Sequence, residues 1–319
     1  MPRIFKSDGT FRDVEHINGY LMAGPDIFVE PRLTPMCNVP PMVYGSKPTD
    51  NGNLLLSEDE RAALIKKCPQ AGKYIRQFLG AEEFIHNKKR YCLWLVDCPP
   101  DELRKMKPVY ERVKNVAEFR KKSKKAQTQK DAETPMLFQE IRQPTSEYIL
   151  VPRVSSERRK YIPMDYVSPE IICSDANLMI PDAEIWHFGI LTSSVHMIWM
   201  RAICGRLENR YRYSAQIVYN NFVWVRMEMR DFAMLYLSAK KILDVRKNYP
   251  NASLADLYDE ITMPKDLREA HRENDKIVMK IYGFDKNMTE EEIAINLLER
   301  YEFLKNYQPP PTTEDDEDF

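Results

Sequence analysis

Apolar and polar positions first separate into a clear element at Ser57-Glu58-Asp59-Glu60. The serine oxygen can accept from the third helical N–H while Glu60 reaches back, and Ala62, Leu64 and Ile65 follow, so a short helix is predicted to start there. Glu83 to Ile85 and Tyr91 to Val96 flank the polar His86-Asn87-Lys88-Lys89 and alternate as a β-hairpin would. Between 101 and 130, Leu103, Met106, Val109, Val113, Val116 and Phe119 fall on one face of a long predicted helix, with the cations on the other. Three β-rich runs come next, Tyr148 to Val154, Glu170 to Cys173 and Asn177 to Ile180, separated by Pro163, Pro169 and the turn Ser174-Asp175-Ala176; they are expected to share one mixed sheet. Phe188 to Cys204 is apolar at helical spacing and meets Gly205, a candidate C′ residue, which leaves Arg206 to Arg212 as a loop. From about Glu228 to Tyr307 the pattern is helical, with Phe232, Leu235, Ala239 and Ile242 on one stripe and a second capping box at Thr289-Glu290-Glu291-Glu292.

The segment up to Asn53 is punctuated by Pro25, Pro31, Pro35, Pro40, Pro41 and Pro48 and offers only Asp26 to Glu30 as a short strand, so it reads as a connector. The expected class is α+β: a connector over 1–53, a mixed-sheet domain over 54–225, an all-helical domain over 226–307 and an acidic tail over 308–319 that should be disordered. A length of 319 residues allows two domains, and 43% hydrophobic with 30% charged residues excludes fibrous and disordered classes. Ile185 to Met200 carries no formal charge, yet it contains His187 and His196 and falls short of the ~20 apolar residues of a membrane span. The start has no apolar leader, so a cytoplasmic location without a membrane partner is expected. Six scattered cysteines form no Cys-x-x-Cys pair and are read as reduced, buried thiols.

Net charge is only −1, but it is segregated: Arg104 to Lys130 holds eleven Lys/Arg against Glu111 and Glu118, whereas 251–319 holds eighteen Asp/Glu against eight Lys/Arg. The middle of the chain therefore expects an anionic partner. Several catalytic chemistries lack their residues. Ten glycines form neither Gly-x-Gly-x-x-Gly nor a phosphate loop, and no lysine follows Asp or Glu by two, as a common metal-dependent nuclease site requires. Pro181-Asp182-Ala183-Glu184 ends on Trp186 where that lysine would stand and is read as a turn. Gly-x-Ser-x-Gly is missing. His187 and His196, nine apart, fall on opposite faces of one predicted helix and are read as structural, with no metal expected. Asn38-Val39-Pro40-Pro41 is a broken form of the Asn-Pro-Pro-aromatic motif of amino-methyltransferases and is read as a proline-rich loop.

Duplex DNA binding needs cations for phosphates and a separate set of side chains for base edges. Arg104, Lys105, Lys114, Lys121, Lys122, Lys124 and Lys125 are candidates for phosphates, as are Ser155, Ser156, Arg158 and Arg159 in the run Val151 to Lys160 at a strand end. The plain alternative is a solvated helix face. In Arg206 to Arg212 an extended backbone would put Glu208, Arg210 and Arg212 on one side and Tyr211 on the other.

Ile17-Asn18-Gly19-Tyr20-Leu21, the stretch Asn38 to Asp50, Gly52 to Ser57, Val151 to Pro163 and Tyr211-Arg212-Tyr213-Ser214 closely resemble the carboxy-terminal part of MmeI-like restriction–modification enzymes, over about 14 to 305. In that family nuclease, helical connector, adenine-specific methyltransferase, target recognition domain and helical C-terminal domain follow one another, and the resemblance covers the last two. It implies a fragment or truncated product whose missing parts hold S-adenosylmethionine, with no cofactor and no catalysis in this chain. It also implies base-reading pairs at Arg153 with Asp175, Ala176 with Arg212, and Glu208 with Arg210. The residue chemistry agrees in kind, since Arg can donate twice to guanine and a carboxylate can accept from the cytosine amine. The expected function is recognition of a short duplex sequence for a methyltransferase in the same or a neighbouring polypeptide, and for a nuclease if the intact protein has one. The rivals are a protein-interaction scaffold built on the helical domain and acidic tail, and a hydrolase with an unrecognised site.

Overall fold

The computed structural model describes residues 1–5 and 8–307, so the predicted acidic tail lies outside the described residues. Helices and mixed sheets combine as an α+β fold with a helical C-terminal region. The central sheet has the order Val43–Tyr44, Asn177–Pro181, Tyr148–Pro152, Asp165–Val167 and is antiparallel throughout. Its residues alternate between two apolar layers. Ile149, Val151, Leu178 and Ile180 enter the large core, while Tyr148, Leu150 and Met179 pack with Leu79, Val167 and Cys173 on the other side. Burial on both faces is why the strands read as continuous apolar runs.

Ile172–Cys173 does not join that sheet, contrary to the expectation of a single one. It pairs in parallel with Ile75–Leu79 in a second sheet completed by Tyr91–Leu93 and Leu55–Leu56. The Gln143 amide occupies the ladder positions beside it, donating to Pro169 O at 3.0 Å and Ile171 O at 2.8 Å and accepting from Cys173 N at 3.0 Å. The predicted hairpin over 83–96 is also absent: Glu83 to Ile85 lie in the helix Ala81–His86. Glu83 caps that helix by accepting from Gly80 N at 2.9 Å, and Asn87, with φ 52°, ends it. Asp26 to Glu30 forms no ladder either; the Val29 and Glu30 amides donate to the hydroxyls of Tyr20 and Tyr301, at 3.0 and 3.2 Å.

The basic stretch is three helices rather than one, Pro100–Lys105, Lys107–Lys121 and Ala126–Lys130; the first break falls before Pro108, which lacks an amide donor and whose ring is accommodated only in a first turn, and the second spans Lys122 to the extended Lys125. The apolar stretch after it also breaks, into Ile185–Leu191 and Ser194–Ile203, where extended Ser193 caps the second helix. Gly205 does follow the C-cap Cys204, at C′, but not in the left-handed conformation; it opens the strand Gly205–Leu207, which forms a hairpin with Arg210–Arg212 in place of the expected loop.

Packing does not divide at residue 225. Residues of the central sheet and of Ser194–Ile203 share one core with Leu235, Ile242, Leu267 and Leu297. A Cβ on Gly189 would lie 2.7 Å from Leu235 Cδ1 and 3.0 Å from Ala239 Cβ, so glycine lets Ile185–Leu191 touch the helix Met229–Arg246. Asp275 accepts from Tyr161 OH and from Ser194 N, both at 2.7 Å, and Arg246 donates to Met164 O at 2.7 Å. The segment up to Pro40 is held to the same body through Asn220 to Arg32 O, Asn221 to Glu30 O and Tyr219 OH to Pro40 O. Among the described residues no helix is long and apolar enough to cross a membrane.

His187 and His196 are buried, on two helices rather than one. Burial pushes their pKa down to about 4 and about 3, from 6.5. His271 is driven well below its usual value by burial and then by the charges of Arg246 and Lys160. Their folded pKa values lie below the unfolded one, so the stability they permit is complete above pH 6.5 and declines as pH falls and the unfolded chain takes up protons. Buried Asp275, whose carboxyl is raised by burial, acts in the opposite sense, one group against three. Denaturant midpoints are therefore expected to be lower at pH ~5 than at pH ~7.5; equal midpoints would contradict burial of neutral imidazoles.

Candidate nucleic-acid interface

Residue 153 follows the strand Tyr148–Pro152, and residues 175 and 176 precede Asn177–Pro181. Because Pro152 pairs with Asn177, Arg153 faces this turn, and its amide donates to Ala176 O at 3.3 Å. Its guanidinium Nη1 donates to the Asp175 backbone carbonyl at 3.0 Å rather than to the carboxylate. Of the five guanidinium N–H groups, four remain outside that bond. The Asp175 carboxylate meets a long contact from Ser174 Oγ, 3.4 Å. Both side chains thus keep hydrogen-bonding capacity at a half-buried position.

The hairpin over 205–212 continues the same edge. Arg212 pairs with Val154 and Tyr211 with Ser155, and Tyr213 N donates to Arg153 O at 2.8 Å. Arg210 and Arg212 are exposed while Tyr211 and Tyr213 are buried, as the alternation predicts. Glu208 departs from it: with φ 56° it sits in the turn, not on an extended face, and its carboxylate accepts from Arg210 Nη2 at 2.9 Å. The structure therefore brings Arg153, Asp175, Ala176, Glu208, Arg210 and Arg212 onto three adjoining segments locked by main-chain bonds.

The phosphate candidates separate. Lys121, Lys122, Lys124 and Lys125 are exposed at the end of Lys107–Lys121 and just after it. Lys121 bonds Glu118 and Lys114 bonds Glu111, both at 2.9 Å, and Lys105 lies 3.8 Å from Asp101; Arg104 is exposed. Arg158 is exposed, and Ser156 Oγ accepts from its amide at 3.2 Å. Ser155 is 2% exposed, so its hydroxyl does not face solvent. Arg159 is half-buried beside the Asp259 carboxylate, facing the helical region.

Five residues outside the sequence-derived set belong to this surface: Tyr44, Gly45, Ser46, Lys47 and Arg142. A Cβ on Gly45 would fall 2.2 Å from Ser174 O and 2.6 Å from Cys173 O, so glycine alone lets the segment 44–47 lie against the 174–176 turn. Ser46 bridges Ser174 and Lys47 bridges Glu140. Tyr44 lies under Arg153, 4.9 Å from ring centroid to Cζ, and under Arg142 at 5.9 Å. Lys47 shares with Lys122, Lys125 and Phe119 a surface pocket of about 470 Å³. The tract Tyr44-Gly45-Ser46-Lys47 is legible as a turn signal, but nothing local in it announces the contact with Arg153.

The turn Leu79-Gly80-Ala81 joins a strand to a helix, but the Glu83 carboxylate already occupies the Gly80 amide. Among the described residues no group of three or more His, Cys, Asp or Glu could hold a metal ion.

The family model "MmeI, target recognition domain" matches residues 23–226, and "MmeI, C-terminal domain" matches residues 234–307. A solved structure of the type IIL restriction–modification enzyme MmeI in complex with DNA superposes with a TM-score of 0.91 at 43% identity, over 93% of this chain and 40% of that one. DNA methyltransferase A of Bacillus subtilis (strain 168) is 37% identical over 295 residues, which is 92% of this chain and 33% of the relative. The chain thus spans between a third and two-fifths of the length of these proteins.

Proposed function

The chain belongs to the MmeI family, as its target recognition and C-terminal domains, and on that premise we propose that it reads a short sequence in duplex DNA for a methyltransferase carried outside these residues. The observation that carries the reading is the clustering of unlike base-edge chemistry, Arg153 with Asp175 and Glu208 with Arg210 and Arg212, on segments tied together through Arg153, Val154 and Tyr213. Guanidinium donors suit guanine and carboxylate acceptors suit the cytosine amine, so such a cluster has the means to tell base pairs apart. Ala176, exposed next to Asp175, would leave room for a base edge where a longer side chain would not. The chain's own residues bind and orient DNA in this reading; the transfer step and S-adenosylmethionine belong elsewhere, and so does any cleavage.

Lys121, Lys122, Lys124 and Lys125, with Arg158 and Ser156, would meet phosphates. They add affinity without sequence information. Changing the four lysines to glutamine is expected to weaken binding to all duplexes alike and to flatten the slope of log affinity against log salt by about 0.9 for each phosphate that is no longer neutralised. Fluorescence anisotropy across a salt series measures it. An unchanged slope would return these lysines to the role of a solvated face.

A further inference from the structure

Arginine is a long, rotamer-rich side chain, and a specific base contact requires its guanidinium plane to be held before DNA arrives. One hydrogen bond, to Asp175 O, fixes a single corner of the Arg153 guanidinium. The remaining restraint is the Tyr44 ring 4.9 Å beneath it. The backbone that carries the ring is fixed: Val43–Tyr44 is the edge strand of the central sheet, paired to Met179 and Leu178, and Gly45 seats the following residues against the Ser174 carbonyl. Arg142 shares the ring at 5.9 Å. Its amide donates to Ser46 Oγ at 3.0 Å, Nη1 reaches Gly45 O at 3.4 Å, and Nη2 bonds the Glu140 carboxylate, while 38% of the side chain remains exposed. Arg142 thus shares the aromatic seat of Arg153 with one nitrogen held by Glu140 and part of its side chain open to solvent, where a cation stacked on a ring can still offer N–H donors to guanine acceptors.

We propose that Tyr44 and Arg142 are specificity determinants: Tyr44 is a positioning residue that aims Arg153, and Arg142 is a further base-contacting residue on the same aromatic seat. The inference rests on the reading of Arg153 as a base contact. Selection of this chain on randomised duplexes tests it, with Tyr44→Phe, Tyr44→Leu, Arg142→Gln and Arg153→Gln run in parallel. Tyr44→Phe keeps the ring and should keep every preference. Tyr44→Leu should reduce preference about tenfold at the base pair that Arg153→Gln also affects, with the salt slope and the preferences due to Glu208 and Arg210 unchanged. Those retained preferences report that the variant is folded. Arg142→Gln should relax the same or the adjoining base pair. If Arg153→Gln alters a preference but Tyr44→Leu does not, or if Arg142→Gln changes only the salt slope, the corresponding assignment is overturned. If Arg153→Gln alters nothing, or the chain shows no preference at all, the underlying base-reading fails with it.

Discussion

Replacing Arg120 with methionine is expected to cost the fold about 3–5 kcal/mol, more than any change among the neighbouring lysines. Arg120 is 0% exposed and spends its guanidinium entirely on main-chain carbonyls: Nε on Thr49 at 3.0 Å, Nη1 on Asp131 and Thr134 at 3.0 and 3.3 Å, Nη2 on Pro48 and Leu137 at 2.8 Å each. Methionine matches the stem but removes the donor of the buried Thr49 and Leu137 carbonyls, and leaves those of Pro48, Asp131 and Thr134 with only the amides of Gln139, Thr134 and Leu137. Lysine should rescue only part of the loss, because a point charge cannot span carbonyls arranged around a planar fork. Burial lowers the Arg120 pKa, opposed by the charges of Asp131 and Asp50. Urea unfolding decides the matter: a midpoint drop without a change in slope is expected for methionine and a smaller one for lysine. Midpoints equal to the parent would mean that these carbonyls find other donors. Salt-slope measurements on the lysine variant should match the parent, since Arg120 is interior and meets no phosphate.

Arg120 also illustrates what the amino-acid pattern could and could not convey. It stands in Arg120-Lys121-Lys122-Ser123-Lys124-Lys125, where composition makes one cation look like the next. Which of them turns inward depends on the 48–49 and 131–137 loops converging with carbonyls that can accept from one guanidinium, and that is decided by distant chain. Local signals fared differently. The two capping boxes appear as expected, with Glu60 N to Ser57 Oγ at 3.1 Å and Glu292 N to Thr289 Oγ1 at 3.2 Å, because each needs only residues within one turn. The helix breaks at Pro108 and Ser193 were legible in principle but hidden beneath continuous apolar periodicity. Strand partners were not legible: Ile172–Cys173 changed sheets through the side chain of Gln143, thirty residues before Cys173. Likewise Ser155 differs from Ser156 only by the pleat, which turns one hydroxyl inward against the Tyr211 strand.

Arg153 and Asp175 should behave as one reader of a single G·C pair, and exchanging them tests that most severely. In the free protein Arg153 holds the Asp175 main chain, so the two side chains are not consumed by each other. Arg153→Glu alone brings a carboxylate toward the guanine acceptors O6 and N7 while removing the donors, and is expected to abolish specific binding. Adding Asp175→Asn supplies an amide that can donate, so the double variant should accept the base pair in the opposite orientation. Removing a bidentate pair of hydrogen bonds is expected to cost about 1–3 kcal/mol at that position, and a repulsive carboxylate adds to it. Glu208 and Arg210, bonded to one another at 2.9 Å on the hairpin, form a separate unit, so their preference should survive the exchange. The measurement is selection from randomised duplexes, read position by position. A double variant that changes overall affinity yet leaves every base preference in place would assign Arg153 and Asp175 to the phosphates or to the fold. Inversion at one position with the others intact is the outcome expected of a base-reading pair, because only contacts made through hydrogen-bond direction reverse when donor and acceptor are exchanged.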